Sequence, residues 1–226
     1  LIGQTRWTQM TVAGLIILGG LGVYVIYDLL MVFRHKQYRL RVHSRVVLVA
    51  TLILIAAGTV LLWLNGYVRE TGLSWYDAFF QSVTARTAGF NSVDIGELPA
   101  ESLTLIIILM LIGGAPGSTA GGMKVTTLAV LIANAAAAFH RREDSRLFDR
   151  RLDYSAIRNA AAILLLYLSL TFVGAAVISE VEGLPLGACL YETASAAGTV
   201  GLTLGLTPQL GTLSQSILIL LMFFGR

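Results

Sequence analysis

The feature that most constrains this chain is the alternation of long apolar stretches with short basic ones. A bilayer hydrocarbon core about 30 Å thick takes roughly 20 apolar residues per crossing helix. Met10 to Phe33, Val46 to Leu64 and Ala160 to Ser179 have that form. Leu103 to Phe139 is apolar but interrupted by glycines. Leu213 to Phe224 is a last apolar run, and Gly225-Arg226 follow it at the end of the sequence. Only 13% of the residues are charged and 56% are hydrophobic. A soluble domain carries about 25% charged residues, so most of this chain is expected to lie in lipid. A disordered chain and a disulfide scaffold are excluded, the latter because Cys189 stands alone. The net charge of +3 gives no ground for a nucleic-acid partner. The N-terminus, with Arg6 and Trp7 before a span too long for a signal sequence, does not read as a cleavable leader. Because the chain opens and closes inside apparent helices, it is expected to be part of a longer polypeptide.

Two further apolar segments, Trp75 to Ala85 and Leu186 to Ala197, are too short to cross and read as re-entrant helices. Each is followed by a Thr-x-Gly triplet. The linker from Arg34 to Arg45 carries Arg34, Lys36, Arg39, Arg41 and Arg45 without an acid. The linker from Arg141 to Arg158 carries Arg141, Arg142, Arg146, Arg150, Arg151 and Arg158. The opposite loops hold Asp94, Glu97, Glu101, Glu180 and Glu182. The positive-inside rule therefore puts both basic linkers in the cytoplasm and both triplets on the outer side of a multi-pass protein of the cell membrane.

The chain also repeats. Slid by 112 positions, Thr87 falls on Thr199, Gly89 on Gly201, Ser102 on Ser214, Met110 on Met222 and Gly113 on Gly225. The repeating unit is a span, a short re-entrant helix, a Thr-x-Gly segment and a second span. Leu15 to Gly20 matches Leu109 to Gly114, so the first span reads as the end of a preceding unit. Internal repeats are common in membrane transporters.

Irregular backbone at membrane depth is tolerated only where protein buries it or a watery cavity receives it. Thr87-Ala88-Gly89-Phe90 and Thr199-Val200-Gly201-Leu202 are therefore candidate walls of an ion filter. Their carbonyls would replace the hydration shell of a potassium ion. Two complete copies and one fragment imply an original arrangement of four around one pore. The run from Gly113 to Lys124 places five glycines and Pro116 in ten residues, which should abolish helix locally. The spacing of Gly117 and Gly122 imitates a phosphate loop, but Met123 stands where the lysine should be and an apolar helix precedes it. An irregular loop beneath a filter is instead a candidate gate. Its residues would be Gly113, Gly114, Gly117, Ser118, Thr119, Gly121, Gly122 and Lys124. Arg226, a charge closing an apolar run, is expected to pair with this loop and to form a positive barrier. Arg86 and Glu192 are expected to brace the filter segments.

Ser82-Val-Thr-Ala-Arg-Thr-Ala-Gly-Phe-Asn91, Gly113-Gly-Ala-Pro-Gly-Ser-Thr-Ala-Gly-Gly-Met-Lys124 and Ala197-Gly-Thr-Val-Gly-Leu202 together resemble the Trk/Ktr/HKT superfamily of potassium transporters, with Gly198 to Leu202 most like the Ktr-type membrane subunit. The resemblance implies an all-α integral membrane fold of membrane helix–pore helix–membrane helix units around a central pore. It divides the chain into residues 1–33, the last helix of a second unit; a linker, 34–45; a third unit, 46–140, with the gating loop 113–124; a linker, 141–155; and most of a fourth unit, 156–226. It maps the filter glycines onto Gly89 and Gly201 and a pore arginine onto Arg226. It further implies K+ as transported ion, with Na+ as a possible activator, no covalently bound cofactor, a homodimer in membrane lipid, and a cytosolic ring of ATP/ADP-binding regulatory subunits touching the basic linkers.

No nucleophile–base pair and no metal-ligand cluster is legible, and no enzyme is expected. A cation-coupled secondary transporter of a small solute is the alternative. It predicts an ionisable residue at the midplane, and none lies between Arg45 and Arg69 or between Arg158 and Glu180.

Overall fold

The computed structural model describes residues 5–35, 38–69, 72–142, 144–148 and 150–226. Lys36, counted in the first basic linker, lies outside them. The described chain is helical apart from a two-stranded hairpin. Its order is α1 (Arg6–Leu21), α2 (Val23–Arg34), α3 (Val42–Val68), α4 (Trp75–Thr84), α5 (Ala100–Leu111), α6 (Val125–Phe139), β1 (Arg146–Leu147), β2 (Arg150–Arg151), α7 (Tyr154–Glu182), α8 (Leu186–Ala197) and α9 (Thr212–Gly225).

Two helices, α3 and α7, are long and apolar enough to cross a membrane unbroken. Both present large apolar side chains outward, among them Leu52, Ile53, Leu165 and Phe172, as helices solvated by lipid do. α7 stops at Gly183, whose φ of 65° is left-handed. Glu182 then accepts hydrogen bonds from Gly211 N (2.9 Å) and from the Ser214 hydroxyl, tying the end of α7 to the start of α9.

The first expected span requires a correction. Met10 to Phe33 is not one helix: α1 and α2 meet at Gly22 with a bend of 98°. Gly22 takes φ of 80°, and a Cβ there would lie 2.8 Å from the Pro116 carbonyl oxygen. A glycine is required for both reasons. The expected break within Leu103–Phe139 separates α5 from α6.

The two short segments behave differently from the spans. In α4, Phe80 to Thr84 are all buried, and in α8 so is every residue from Tyr191 to Ala197. A helix buried on every face is surrounded by protein rather than lying on a surface. Ser74 caps α4, accepting from Asp77 N at 3.3 Å. α4 packs on α3 and α1, and α8 on α7, α9 and α5. One apolar core joins the units, with Leu62 of α3, Ala78 of α4, Ile106 and Met110 of α5, and Tyr191 and Ala194 of α8. Val200 and Leu202 enter the same cluster, so the segment after α8 is anchored from behind.

Candidate functional site: two backbone strands above a glycine loop

The chain leaving α4 and the chain leaving α8 adopt the same unusual backbone. Thr87 and Gly89 have φ of 73° and 78°, and Thr199 and Gly201 have φ of 50° and 90°. Ala88 and Val200, between them, stay at negative φ. Alternating the sign of φ turns successive peptide units the same way, so like backbone groups line one face of the strand. For threonine, which is β-branched, a left-handed φ is strained by about 1–3 kcal/mol and persists only where the surroundings impose it.

The surroundings do impose it. Phe90 N donates to Thr84 Oγ1 (2.8 Å) and Ala88 N to the Thr84 carbonyl (3.1 Å). In the other copy, Gly201 N donates to Ser195 Oγ (3.2 Å) and Val200 N to the Ser195 carbonyl (2.8 Å). Glu192, 4% exposed, accepts from Thr203 Oγ1 (2.7 Å), Leu204 N (2.8 Å) and Thr207 Oγ1 (2.6 Å). Its carboxylate thus holds the chain just beyond Leu202.

The two strands touch. A Cβ on Gly89 would run into the Val200 carbonyl oxygen and lie 3.2 Å from Gly201 Cα. Backbone meets backbone at this point only because residue 89 has no side chain. Among the described residues no three His, Cys, Asp or Glu side chains converge.

The glycine loop closes the space beside them. Its neck is a parallel bridge between Ile112 and Met123, with Gly113 N donating to the Met123 carbonyl (2.8 Å) and Met123 N to the Leu111 carbonyl (3.2 Å). Its apex presses on the second strand: a Cβ on Gly121 would collide with Thr199 Oγ1. On one flank, Ala115 N donates to the Gly20 carbonyl (2.9 Å), and Val23 N donates to the Gly117 carbonyl (3.2 Å). On the other, Gly122 N donates to the Gly225 carbonyl (3.0 Å), which also accepts from the Tyr167 hydroxyl (3.0 Å).

Cations hold consecutive carbonyls of the apex. Arg226 Nη1 donates to the Thr119 carbonyl (3.2 Å), and Lys124 Nζ donates to the Ala120 carbonyl. A cavity of about 340 Å³ is lined both by Thr87 and Ala88 of the first strand and by Thr119 and Ala120 of the loop.

Most residues singled out from the sequence come together here: Thr87, Ala88, Gly89, Thr199, Val200 and Gly201 in the strands, and the loop from Gly113 to Lys124 with Arg226 against it. Phe90 and Leu202 do not match each other. Leu202 is 1% exposed in the core, whereas Phe90 is 49% exposed. Arg86, directly before Thr87, donates through Nη2 to the Gly113 carbonyl (3.3 Å) and so ties the end of α4 to the loop. Sequence reasoning missed Thr84 and Ser195, although each stands six residues before the amide it accepts. It also missed Asp28, an acid inside the first span. Asp28 is 1% exposed and accepts from Ser44 Oγ (2.6 Å) and Tyr38 OH (2.9 Å), with Arg41 Nε at 3.6 Å. Saturated in this way, it knots α2 to the start of α3, remote from the strands.

The chain is 37% identical to the Ktr system potassium uptake protein B of Vibrio alginolyticus over 225 residues, covering 96% of this chain and 50% of that protein. It is 39% identical over 227 residues to the potassium/sodium uptake protein NtpJ of Enterococcus hirae, with the same coverages. The crystal structure of the potassium transporter TrkH from Vibrio parahaemolyticus superposes with a TM-score of 0.76 at 19% identity, covering 99% of this chain and 50% of that one. That likeness gives the fold, an all-α membrane architecture with repeated pore helices. The chain spans about half the length of the relatives it matches. The family model of the TrkH cation transport proteins matches residues 4–226, and the chain belongs to that family.

Proposed function

We propose that this chain supplies half of the ion path of a potassium uptake system, passing K+ through a carbonyl-lined filter that the 113–124 loop gates. One observation carries the reading. Two strands of alternating φ, each following a buried short helix, meet backbone to backbone with the loop apex seated against Thr199. Such a surface offers oxygen ligands at fixed spacing without fixed charge, which is what a filter needs in order to hold and then release a monovalent cation. The site residues are Thr87 to Phe90 and Thr199 to Leu202 for the filter. Gly113, Gly114, Gly117, Ser118, Thr119, Gly121, Gly122, Lys124 and Arg226 form the gate.

On this reading α1–α2 end a second pore unit, α3–α6 form a third, and α7–α9 belong to a fourth. The remaining walls come from outside this chain. The basic linkers face the cytoplasm. They receive a regulatory ring that binds ATP or ADP and acts on a homodimer in the cell membrane, with Na+ as an activator. Support for a regulatory partner comes from the relatives named as parts of Ktr systems. Conduction is passive and involves no catalytic step. The coupled-transporter alternative gains nothing from Asp28, because Ser44, Tyr38 and Arg41 occupy that carboxylate.

The test is rubidium or potassium flux into proteoliposomes containing the full natural polypeptide, with Gly201→Ser beside the wild type. Room for a side chain exists at Gly201, whose nearest neighbour is Gly89 Cα at 3.8 Å, but φ of 90° does not suit an L-residue. Flux or potassium preference should fall in the variant. Equal flux and equal preference in both proteins would remove this strand from the ion path.

A further inference from the structure

A second cavity, of about 380 Å³, lies away from the filter between α3 and α6. Val49 and Ile53 form one wall and Leu128 and Ile132 the other, and the β1–β2 hairpin closes one end with Phe148 and Arg146. From Val46 to Leu54 the groove follows α3 for about 12 Å at 1.5 Å rise per residue. Its volume is within the range of small-molecule sites.

The hairpin is what gives the groove a chemical identity. It is fixed rather than swinging: Ser145 Oγ donates to Asn134 Oδ1 of α6 (3.0 Å), and Leu152 N donates to the Ser145 carbonyl (2.9 Å). Arg146 of the hairpin lines the groove beside Leu147 and Phe148. Arg151 has a counter-ion, Asp144 at 2.9 Å. Among the described residues Arg146 has none. The groove thus combines apolar walls with one guanidinium group that has no counter-ion among the described residues.

We propose that this groove binds an anionic phospholipid, one acyl chain lying between α3 and α6 and the headgroup phosphate meeting Arg146. Basic pockets between membrane helices select anionic headgroups, and guanidinium matches phosphate by paired N–H donors. A zwitterionic lipid would fill the apolar part equally well but would leave the cation less compensated. The site bears on the gate because α6 begins at Val125, directly after the loop. An acyl chain between α3 and α6 sets their separation and therefore the angle at which α6 receives the loop.

The proposal rests on the chain lying in a membrane and not on the identity of the transported ion, so its test uses binding alone. The full natural polypeptide is purified in detergent with either phosphatidylglycerol or phosphatidylcholine, and retained lipid is counted by native mass spectrometry. Wild type should retain phosphatidylglycerol preferentially. One surface arginine contributes about 1 kcal/mol toward an anionic lipid, so Arg146→Gln should reduce that preference about fivefold while leaving phosphatidylcholine retention unchanged. Ile132→Trp, at a position 59% exposed in the groove, should lower retention of both lipids. Equal retention of the two lipids by wild type would overturn the proposal, as would variants indistinguishable from it.

Discussion

Gly121→Ala is the most informative single change, because its effect can be worked from contacts rather than from backbone strain. Gly121 is not in the left-handed region, so alanine is conformationally acceptable there. Its new methyl group meets Thr199 first, colliding with Oγ1 and lying 3.0 Å from Cβ and 3.1 Å from Cγ2. Rotating the threonine side chain would move Oγ1 but leave Cβ in place, so no rotamer clears the contact. Overpacking of this kind costs about 1–3 kcal/mol. If the loop is the gate, the cost falls on the closed arrangement alone, in which apex and strand touch. The ratio of closed to open then drops by roughly 5- to 150-fold. In proteoliposomes containing the full polypeptide, basal rubidium flux should rise severalfold or more, limited only when the open state saturates. Potassium preference should survive, because the strands can relax once the loop withdraws. Flux that stays level or falls, in a protein whose thermal unfolding is unchanged, would refute the reasoning: the loop would be a fixed support of Thr199 and its displacement harmful.

Three other outcomes follow from the same contacts. Thr84→Val keeps the shape of the side chain but removes the acceptor for Phe90 N, so it should cost about 1–2 kcal/mol in detergent unfolding and reduce potassium-over-sodium preference in competition flux. Glu192→Gln replaces a carboxylate that accepts three hydrogen bonds by an amide with one acceptor oxygen; a stability loss of about 1–3 kcal/mol is expected, and an unchanged melting temperature would argue against a bracing role. Gly22→Ala meets both a left-handed φ and the Pro116 carbonyl at 2.8 Å, and should lower the yield of folded protein as measured by size-exclusion chromatography, whereas Gly72→Ala, left-handed but with open space around it, should be milder.

The strands and the loop were legible because their signals are compositional and repeated: glycine where a helix should continue, and the same triplet after each short apolar segment. The bend at Gly22 was not read from the sequence, although the repeat carried one step further points to its neighbourhood. Gly19-Gly20 aligns with Gly113-Gly114, where α5 has just ended, and the first span breaks in the same neighbourhood. An apolar run that could cross a bilayer by length alone hid that break. The left-handed threonines were not legible, since β-branched residues avoid that conformation and only surrounding hydrogen bonds reveal why these two adopt it. The target of Arg86 was equally hidden. Sequence placed it beside the first strand, while the partner that fixes it, the Gly113 carbonyl, is brought near by tertiary packing. Asp28 was visible as an acid within an apolar run, yet the three groups that neutralise it come from beyond the end of its own helix.

The bridge between Ile112 and Met123 has a further consequence. It brings the two ends of the loop side by side with the chain running in the same direction. α5 and α6 together comprise 12 and 15 helical residues, as many as the 27 of the unbroken α3. The loop therefore adds nothing to the distance the chain travels across the bilayer. It is a side excursion from a crossing that is already complete, so its length and composition can change without altering the hydrophobic match of the helices to the membrane. If the loop is the gate proposed above, selection can retune that gate while the helices that carry it stay in register with the lipid.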